Sequence, residues 1–201
     1  MQTRVDGAII SPAHQATNFG VLGNTPFILI TNSNHFSKYD TIGNDSRRGM
    51  IMALERLFEL GHRRIALLAG GSMRGGSSWR FDTIKEFYSK KNMYFPEGLN
   101  IHCDMNESSL ASFSKARSSV RNFLESGKSV TAIFASNDIL AIAALHVANE
   151  KGIKIPKELS IVGMDGILLS EITYPSLTTV EKNRSKIGRI AAESLIQKIN
   201  N

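Results

Sequence analysis

The chain has 201 residues, of which 42% are hydrophobic and 21% are charged, which is typical of a globular protein. Its formal net charge is +6, but the basic residues are scattered along the chain, so the charge alone does not indicate a nucleic-acid-binding stripe. The sequence has no apolar run near the roughly 20 residues of a membrane-spanning helix, no secretory signal and a single cysteine, so we expect a cytoplasmic protein without membrane contact.

Short apolar runs alternate with helical patterns along the whole chain. The runs at residues 5–10, 27–30, 65–69, 130–135 and 159–163 are too short for ordinary helices, and continuous apolarity is typical of strands buried on both faces of a parallel sheet. Apolar residues spaced three and four apart predict helices near residues 45–60, 79–91, 110–124, 140–147 and 187–199. This alternation predicts an α/β fold with parallel sheets flanked by helices.

Polar side chains follow three of the predicted strands. Arg80 ends the glycine-rich segment after the strand at 65–69, Asn137 and Asp138 follow the strand at 130–135, and Asp165 follows the strand at 159–163. Ligands of open α/β sheets bind beyond the carboxyl ends of the strands, and guanidinium, amide and carboxylate groups together suit a polyol or another polar metabolite.

Each of these residues also has a purely structural interpretation. Asn137 equally suits the cap of the following helix, Asp165 suits a turn before Gly166, and Arg80 suits a solvated helix face. The local pattern leaves both interpretations open.

The sequence lacks the common signatures of catalysis, metal binding and nucleotide binding. The glycine-rich segment 70–76 has neither the Walker ending nor the dinucleotide-binding spacing, no HExxH, CxxC or GxSxG motif occurs, and the five histidines show no zinc-ligand spacing. We therefore predict no catalytic residue, no metal and no cofactor. A nucleotide-dependent α/β enzyme remains an alternative that rests on fold analogy alone.

Six segments together resemble the effector-binding domain of LacI/GalR transcriptional regulators. They occur in the family's order and cover nearly the whole chain. They are RVDGAII at 4–10, GHRRIA at 61–66, AIFASNDILA at 132–141, GIKIPKELSIVGMD at 152–165, PSLTTV at 175–180 and the helix from Ile187 to Leu195.

The resemblance implies a two-lobed, periplasmic-binding-protein-like fold with a small-molecule effector between the lobes. It assigns residues 1–60 and 183–201 to an N-terminal lobe and residues 61–182, with a crossing strand, to a C-terminal lobe. The effector-binding residues that it implies are Asp165, Asn137, Arg80, Ser77, Asp138 and Asp45. Thr83 and Gly76 stand where the family has Gly and Ser, and Asn44 and Asp45 reverse a family pair, so no particular sugar is carried over.

The family's DNA-binding helix-turn-helix and its first two strand–helix units have no counterpart in this sequence. We therefore expect an incomplete N-terminal lobe, an unpaired edge on the strand at 5–10, and DNA contact only through a module outside this chain. The predicted function is a ligand-sensing domain that binds a sugar or related metabolite, in a homodimer. A stand-alone solute-binding protein of the same fold is the alternative.

Overall fold

Strands and helices alternate along the chain, and every pair of neighbouring strands is parallel. The computed structural model describes residues 5–12, 18–32, 34–70, 79–103 and 109–200. The chain divides into two units, Met1–Ser46 with Asn183–Asn201, and Arg47–Lys182. The predicted α/β fold with parallel sheets flanked by helices is confirmed.

The elements are numbered in chain order. The strands are β1 (Ala8–Ile10), β2 (Phe27–Ile30), β3 (Thr41–Ile42), β4 (Ile65–Gly70), β5 (Asn100–Cys103), β6 (Ala132–Ala135), β7 (Ser160–Asp165) and β8 (Thr178–Glu181). The helices are α1 (Ser46–Glu59), α2 (Trp79–Lys90), α3 (Ser109–Glu125), α4 (Asp138–Glu150), α5 (Leu168–Ile172) and α6 (Arg184–Asn200), with short 3-10 turns at Phe19–Leu22 and Asn34–Phe36. None of the helices within the described ranges is long and apolar enough to cross a membrane.

The unit Arg47–Lys182 contains a five-stranded sheet in the order β5-β4-β6-β7-β8. Helices cover both faces, which explains why its strands are apolar without alternation. In β4, Ala66 and Leu68 face the side covered by α3 and α4, whereas Ile65 and Leu67 face the side covered by α1 and α2. Successive side chains of one strand therefore enter two separate cores.

Helix α1 packs in the unit Arg47–Lys182, whereas residues 47–60 are predicted from sequence to belong to the N-terminal lobe. Its buried face, which includes Met50, Leu54 and Leu57, shares a core with β4 and α2. A Cβ at Gly49 would lie 3.2 Å from Cγ1 of Val180 in β8, so a glycine at this position allows the helix to lie close to the sheet. The helical spacing predicted this apolar face correctly, but it carries no information about which sheet the face covers.

The unit Met1–Ser46 with Asn183–Asn201 contains the three-stranded sheet β1-β2-β3 and helix α6. Phe19, Leu29 and Phe36 form its small buried core. Helix α6 packs against all three strands, and Lys198 near its end donates to the carbonyl oxygen of Phe27 at 3.3 Å and pairs with Asp40 at 2.6 Å. The last helix of the chain therefore returns to the first sheet.

Candidate functional site

The carboxyl ends of the five parallel strands meet at one edge of the larger sheet. Gly70 pairs with Cys103, Leu68 with Ala135, and Asp165 with Glu181, so the residues that follow β4, β6, β7 and β8 emerge side by side. Crevices at this edge are where open α/β sheets bind ligands. We call the edge formed by Arg80, Asn137, Asp165 and Lys182 the carboxyl-edge site.

Asp165 is the last residue of β7 and has an unusual backbone conformation. Its φ angle is 144°, a value that residues other than glycine rarely adopt, and Gly166 follows with a φ angle of 66°. Such strain costs on the order of 1–3 kcal/mol and is concentrated at binding sites. The turn directs the Asp165 carboxylate toward the ammonium group of Lys182, with which it forms an ion pair. The side chains of Lys182 and Asp165 are 30% and 25% exposed, so the pair remains within reach of a ligand.

Arg80 lies in the first turn of α2, where its guanidinium group stacks at 4.6 Å over the ring of Trp79. Burial lowers the pKa of Arg80 from its ordinary value, and the negative charge of Asp165 acts in the opposite direction. The structure therefore brings Arg80 within electrostatic range of Asp165, although 84 residues separate them in sequence. A stacked, partly buried guanidinium group loses little side-chain entropy when it binds a ligand.

Asn137 follows β6 and caps the first turn of α4. Its side-chain oxygen accepts a hydrogen bond of 2.9 Å from the amide of Leu140, and its extended backbone is typical of an N-cap. The structural interpretation from sequence is therefore correct. The side chain is partly exposed, and its amide nitrogen is a donor at the carboxyl-edge site.

Asp138 is fully buried, and protein donors occupy both of its carboxylate oxygens. Oδ2 accepts from the amide of Ile167 at 2.9 Å and from Oγ of Ser170 at 2.8 Å, and Oδ1 accepts from Oγ1 of Thr179 at 2.5 Å. These bonds connect the start of α4 with α5 and β8. Asp138 therefore holds the elements that carry Asp165 and Lys182, and it offers no exposed surface to a ligand.

Two of the predicted residues, Ser77 and Asp45, are not among the described residues of the unit Arg47–Lys182. Ser77 lies outside the described residues, and Asp45 is exposed in the unit Met1–Ser46. Sequence reasoning missed Lys182, which directly follows β8. The available signal was Lys182 itself, a charged residue directly after the segment PSLTTVE, because polar residues that follow a parallel strand are candidates for this edge.

Two other features of the described part of the chain offer less chemistry than the carboxyl-edge site. No group of three or more His, Cys, Asp or Glu side chains among those residues is placed to hold a metal ion. A cavity of about 400 Å³ lies at the opposite, amino edge of the sheet and is lined mainly by apolar residues such as Leu57, Leu145 and Leu177. Arg56 contributes a guanidinium group to the cavity wall, but this group is paired with Glu59. The cavity therefore offers a ligand fewer polar groups than the carboxyl-edge site does.

Comparison with known proteins gives a consistent result. The profile of the periplasmic binding protein-like domain family matches residues 54–201. The HTH-type transcriptional repressor PurR of Aliivibrio fischeri (strain MJ11) is 28% identical over 202 residues, which cover 98% of this chain and 59% of the repressor. The chain therefore spans about three fifths of that relative's length.

Two solved structures have the same fold at similar levels of identity. A complex of the transcriptional regulator CelR with cellobiose is 25% identical with a TM-score of 0.80, over 98% of this chain and 60% of the regulator. A regulatory protein of the LacI family from Chloroflexus aggregans is 26% identical with a TM-score of 0.80, over 98% of this chain and 70% of that protein. The repressor and these two solved proteins are all regulators by name.

Proposed function

The chain belongs to the periplasmic binding protein-like domain family, in the form found in LacI/GalR regulators, and from this premise we propose that it senses a small polar metabolite at the carboxyl-edge site. The observation that carries the proposal is the convergence of Arg80, Asp165 and Lys182, with Asn137 at the adjacent strand end. Guanidinium, carboxylate, ammonium and amide groups supply the paired donors and acceptors that a sugar-like ligand requires.

The chemistry proposed here is binding without catalysis. The cellobiose complex among the structural relatives supports a sugar or a related metabolite as the ligand class. In a longer regulator, ligand binding would change DNA affinity through a module outside this chain. The size of that change is limited by the difference in ligand affinity between the two conformational states.

We propose in addition that the domain forms a homodimer through α5 and the short segment after it, up to Tyr174. Four large apolar side chains project there with exposures between 48% and 93%, namely Leu168, Leu169, Ile172 and Tyr174. Exposed apolar groups clustered on one short segment are typical of protein interfaces, and a second copy of the chain offers the same surface under twofold symmetry.

Thermal denaturation with a ligand panel tests the proposed sensing function. The panel contains neutral mono- and disaccharides, their phosphorylated and oxidised derivatives, and nucleosides. A ligand that binds the native state raises the melting temperature in a concentration-dependent manner. For the best ligand, we expect Asp165→Asn to weaken binding at least tenfold, because a charged hydrogen-bond partner contributes about 1.5–3 kcal/mol.

Glu97→Gln is the matched control, because it removes one negative charge from an exposed loop residue that precedes β5 at the opposite edge of the sheet. It should leave the affinity unchanged. Equal weakening by both variants, or no thermal shift with any ligand of the panel, would contradict the carboxyl-edge site as the sensing site.

A further inference from the structure

The carboxylate of Asp165 is already paired with a cation of the protein. Lys182, the first residue after β8, places its ammonium group on Oδ1 of Asp165, and the amide of Lys182 also donates to the carbonyl oxygen of Asp165 at 3.3 Å. A carboxylate that binds only sugar hydroxyl groups needs no such partner, because neutral hydroxyls are its intended donors. The ion pair between Lys182 and Asp165 therefore has to be explained by something other than the binding of hydroxyl groups.

The local charges at the carboxyl-edge site do not cancel. Within the described ranges of the chain, Arg80 and Lys182 both act on Asp165, which gives two cations for one accessible carboxylate. The nearby carboxylate of Asp138 is fully buried and engaged in three hydrogen bonds. Glu181, the register partner of Asp165, is exposed to solvent beside Gly166, so its charge is well screened.

Partial burial makes this imbalance effective. Charges near a protein surface interact several times more strongly than they do in bulk water, and an ammonium group is a compact point charge that suits phosphate or carboxylate oxygens. The guanidinium group of Arg80 adds a planar fork that binds the same oxygens in pairs. An anionic group that joined these three side chains would complete an alternating arrangement of two cations and two anions.

We propose that the ligand of this domain carries an anionic group, a phosphate or a carboxylate, which Lys182 and Arg80 bind while Asp165 and Asn137 hold the polyhydroxylated body. This inference rests on the proposed function and specifies its substrate class. Lys182 is then the residue that distinguishes charged metabolites from the neutral sugars from which they derive.

Isothermal titration of matched ligand pairs tests this specificity. The pairs are glucose with glucose 6-phosphate and gluconate, and cellobiose with its phosphorylated and oxidised derivatives, with inorganic phosphate as an additional probe. We expect the best anionic ligand to bind at least tenfold more tightly than its neutral parent, with an affinity that decreases as salt concentration rises. Phosphorylated and oxidised members of each pair separate a phosphate from a carboxylate as the anionic group.

Lys182→Gln should reduce the affinity for the anionic ligand at least tenfold more than it reduces the affinity for the neutral parent, because the loss of charge acts on the anionic group in addition to any lost hydrogen bond. Lys182→Arg retains the charge and should preserve the preference for the anion. Lys157→Gln, which removes an exposed charge at the amino edge of the sheet, is the matched control and should change neither affinity. Circular dichroism and the melting temperature of each free variant establish that it is folded.

The outcomes distinguish this inference from the function on which it rests. Neutral sugars that bind as tightly as their charged derivatives, with no effect of Lys182→Gln on the ratio, would overturn the anionic ligand class while the sensing function stands. Failure of every ligand to bind would overturn the sensing function and this inference together. A preference for the anion that disappears in Lys182→Gln and returns in Lys182→Arg supports the inference.

Discussion

Asp138 shows how one buried side chain organises the carboxyl-edge site. Its carboxylate has no contact with solvent, and it accepts hydrogen bonds from Ile167, Ser170 and Thr179. A Cβ at Gly163 would collide with Oδ1 of Asp138, so the absence of a side chain at that position creates the space for the carboxylate. The residue thus connects three elements whose sequence positions are far apart.

We expect Asp138→Asn to destabilise the domain by about 3 kcal/mol, because the amide presents an NH₂ group to donors that need an acceptor, and buried hydrogen bonds to charged groups contribute about 1.5–3 kcal/mol each. Urea denaturation followed by circular dichroism measures the change. Glu171→Gln, which alters an exposed carboxylate on α5, is the control and should remain within about 0.5 kcal/mol of the original protein. A similar effect of the two substitutions would show that Asp138 is not an anchor.

At the scale of single elements, α4 combines a structural start with a binding position. Its N-cap Asn137 uses the side-chain oxygen to satisfy the amide of Leu140, and its amide nitrogen is the part available to a ligand. Two different atoms of one side chain therefore carry the two roles, and substitution can separate them.

We expect Asn137→Ala to lower the free energy of unfolding by about 1 kcal/mol, the usual effect of losing an N-cap, whereas Asn137→Ser retains a capping oxygen and should be nearly neutral. Both variants lack the amide nitrogen, so both should weaken ligand binding. Denaturation and titration on the same samples measure the two effects. Full affinity in Asn137→Ser would restrict the residue to its capping role.

Most elements could be predicted from the sequence because their signals are local. β2 was predicted with its observed bounds, and the helix predicted at 79–91 differs from α2 by one residue. β5 was missed, since its segment NIHC alternates polar and apolar residues and has no continuous apolar run. The five-residue helix α5 was also missed, because it is too short to show a helical period.

The candidate site could be predicted only in part, for a physical reason. Residues that leave parallel strands must meet at one edge, so Arg80, Asn137 and Asp165 were accessible to reasoning from the sequence. The ion pair between Lys182 and Asp165 depends on the side-by-side placement of β7 and β8, which strand patterns do not fix. The buried hydrogen bonds of Asp138 depend on the same tertiary placement.

At the scale of the whole molecule, the apolar α5 surface predicts self-association. We expect the protein to sediment as a dimer and Ile172→Asp to shift it to a monomer, because a charge placed in an apolar interface is costly to bury. Lys90→Gln, which removes an exposed charge at the end of α2, is the surface control and should leave the dimer intact. A dimer that is equally stable with Ile172→Asp would exclude this surface as the interface.

A second feature at this scale is the edge of the three-stranded sheet. β1 is an outer strand, and residues alternate in their hydrogen bonding to a parallel neighbour. The amide of Ala8 donates to the carbonyl oxygen of Pro26 at 3.0 Å, so the amide of Ile9 points to the other edge, where none of the described strands lies. Ile9 is also 42% exposed, which is unusual for a residue of a strand that contains only apolar side chains. An open apolar edge of this kind favours pairing with another chain.

Hydrogen exchange on the isolated 201-residue chain tests the consequence, with Ile172→Asp included so that any α5 dimer does not mask the edge. We expect amides of β1 to exchange at least about a hundredfold faster than those of the central strand β6, because locally open segments have low opening free energies. All four residues of β6 are buried between neighbours on both sides, so β6 serves as the internal control. Equal and strong protection of β1 and β6 in a monomeric sample would contradict the open edge. Fast exchange in β1 that slows as protein concentration rises would support it, because added copies would then pair with the exposed strand.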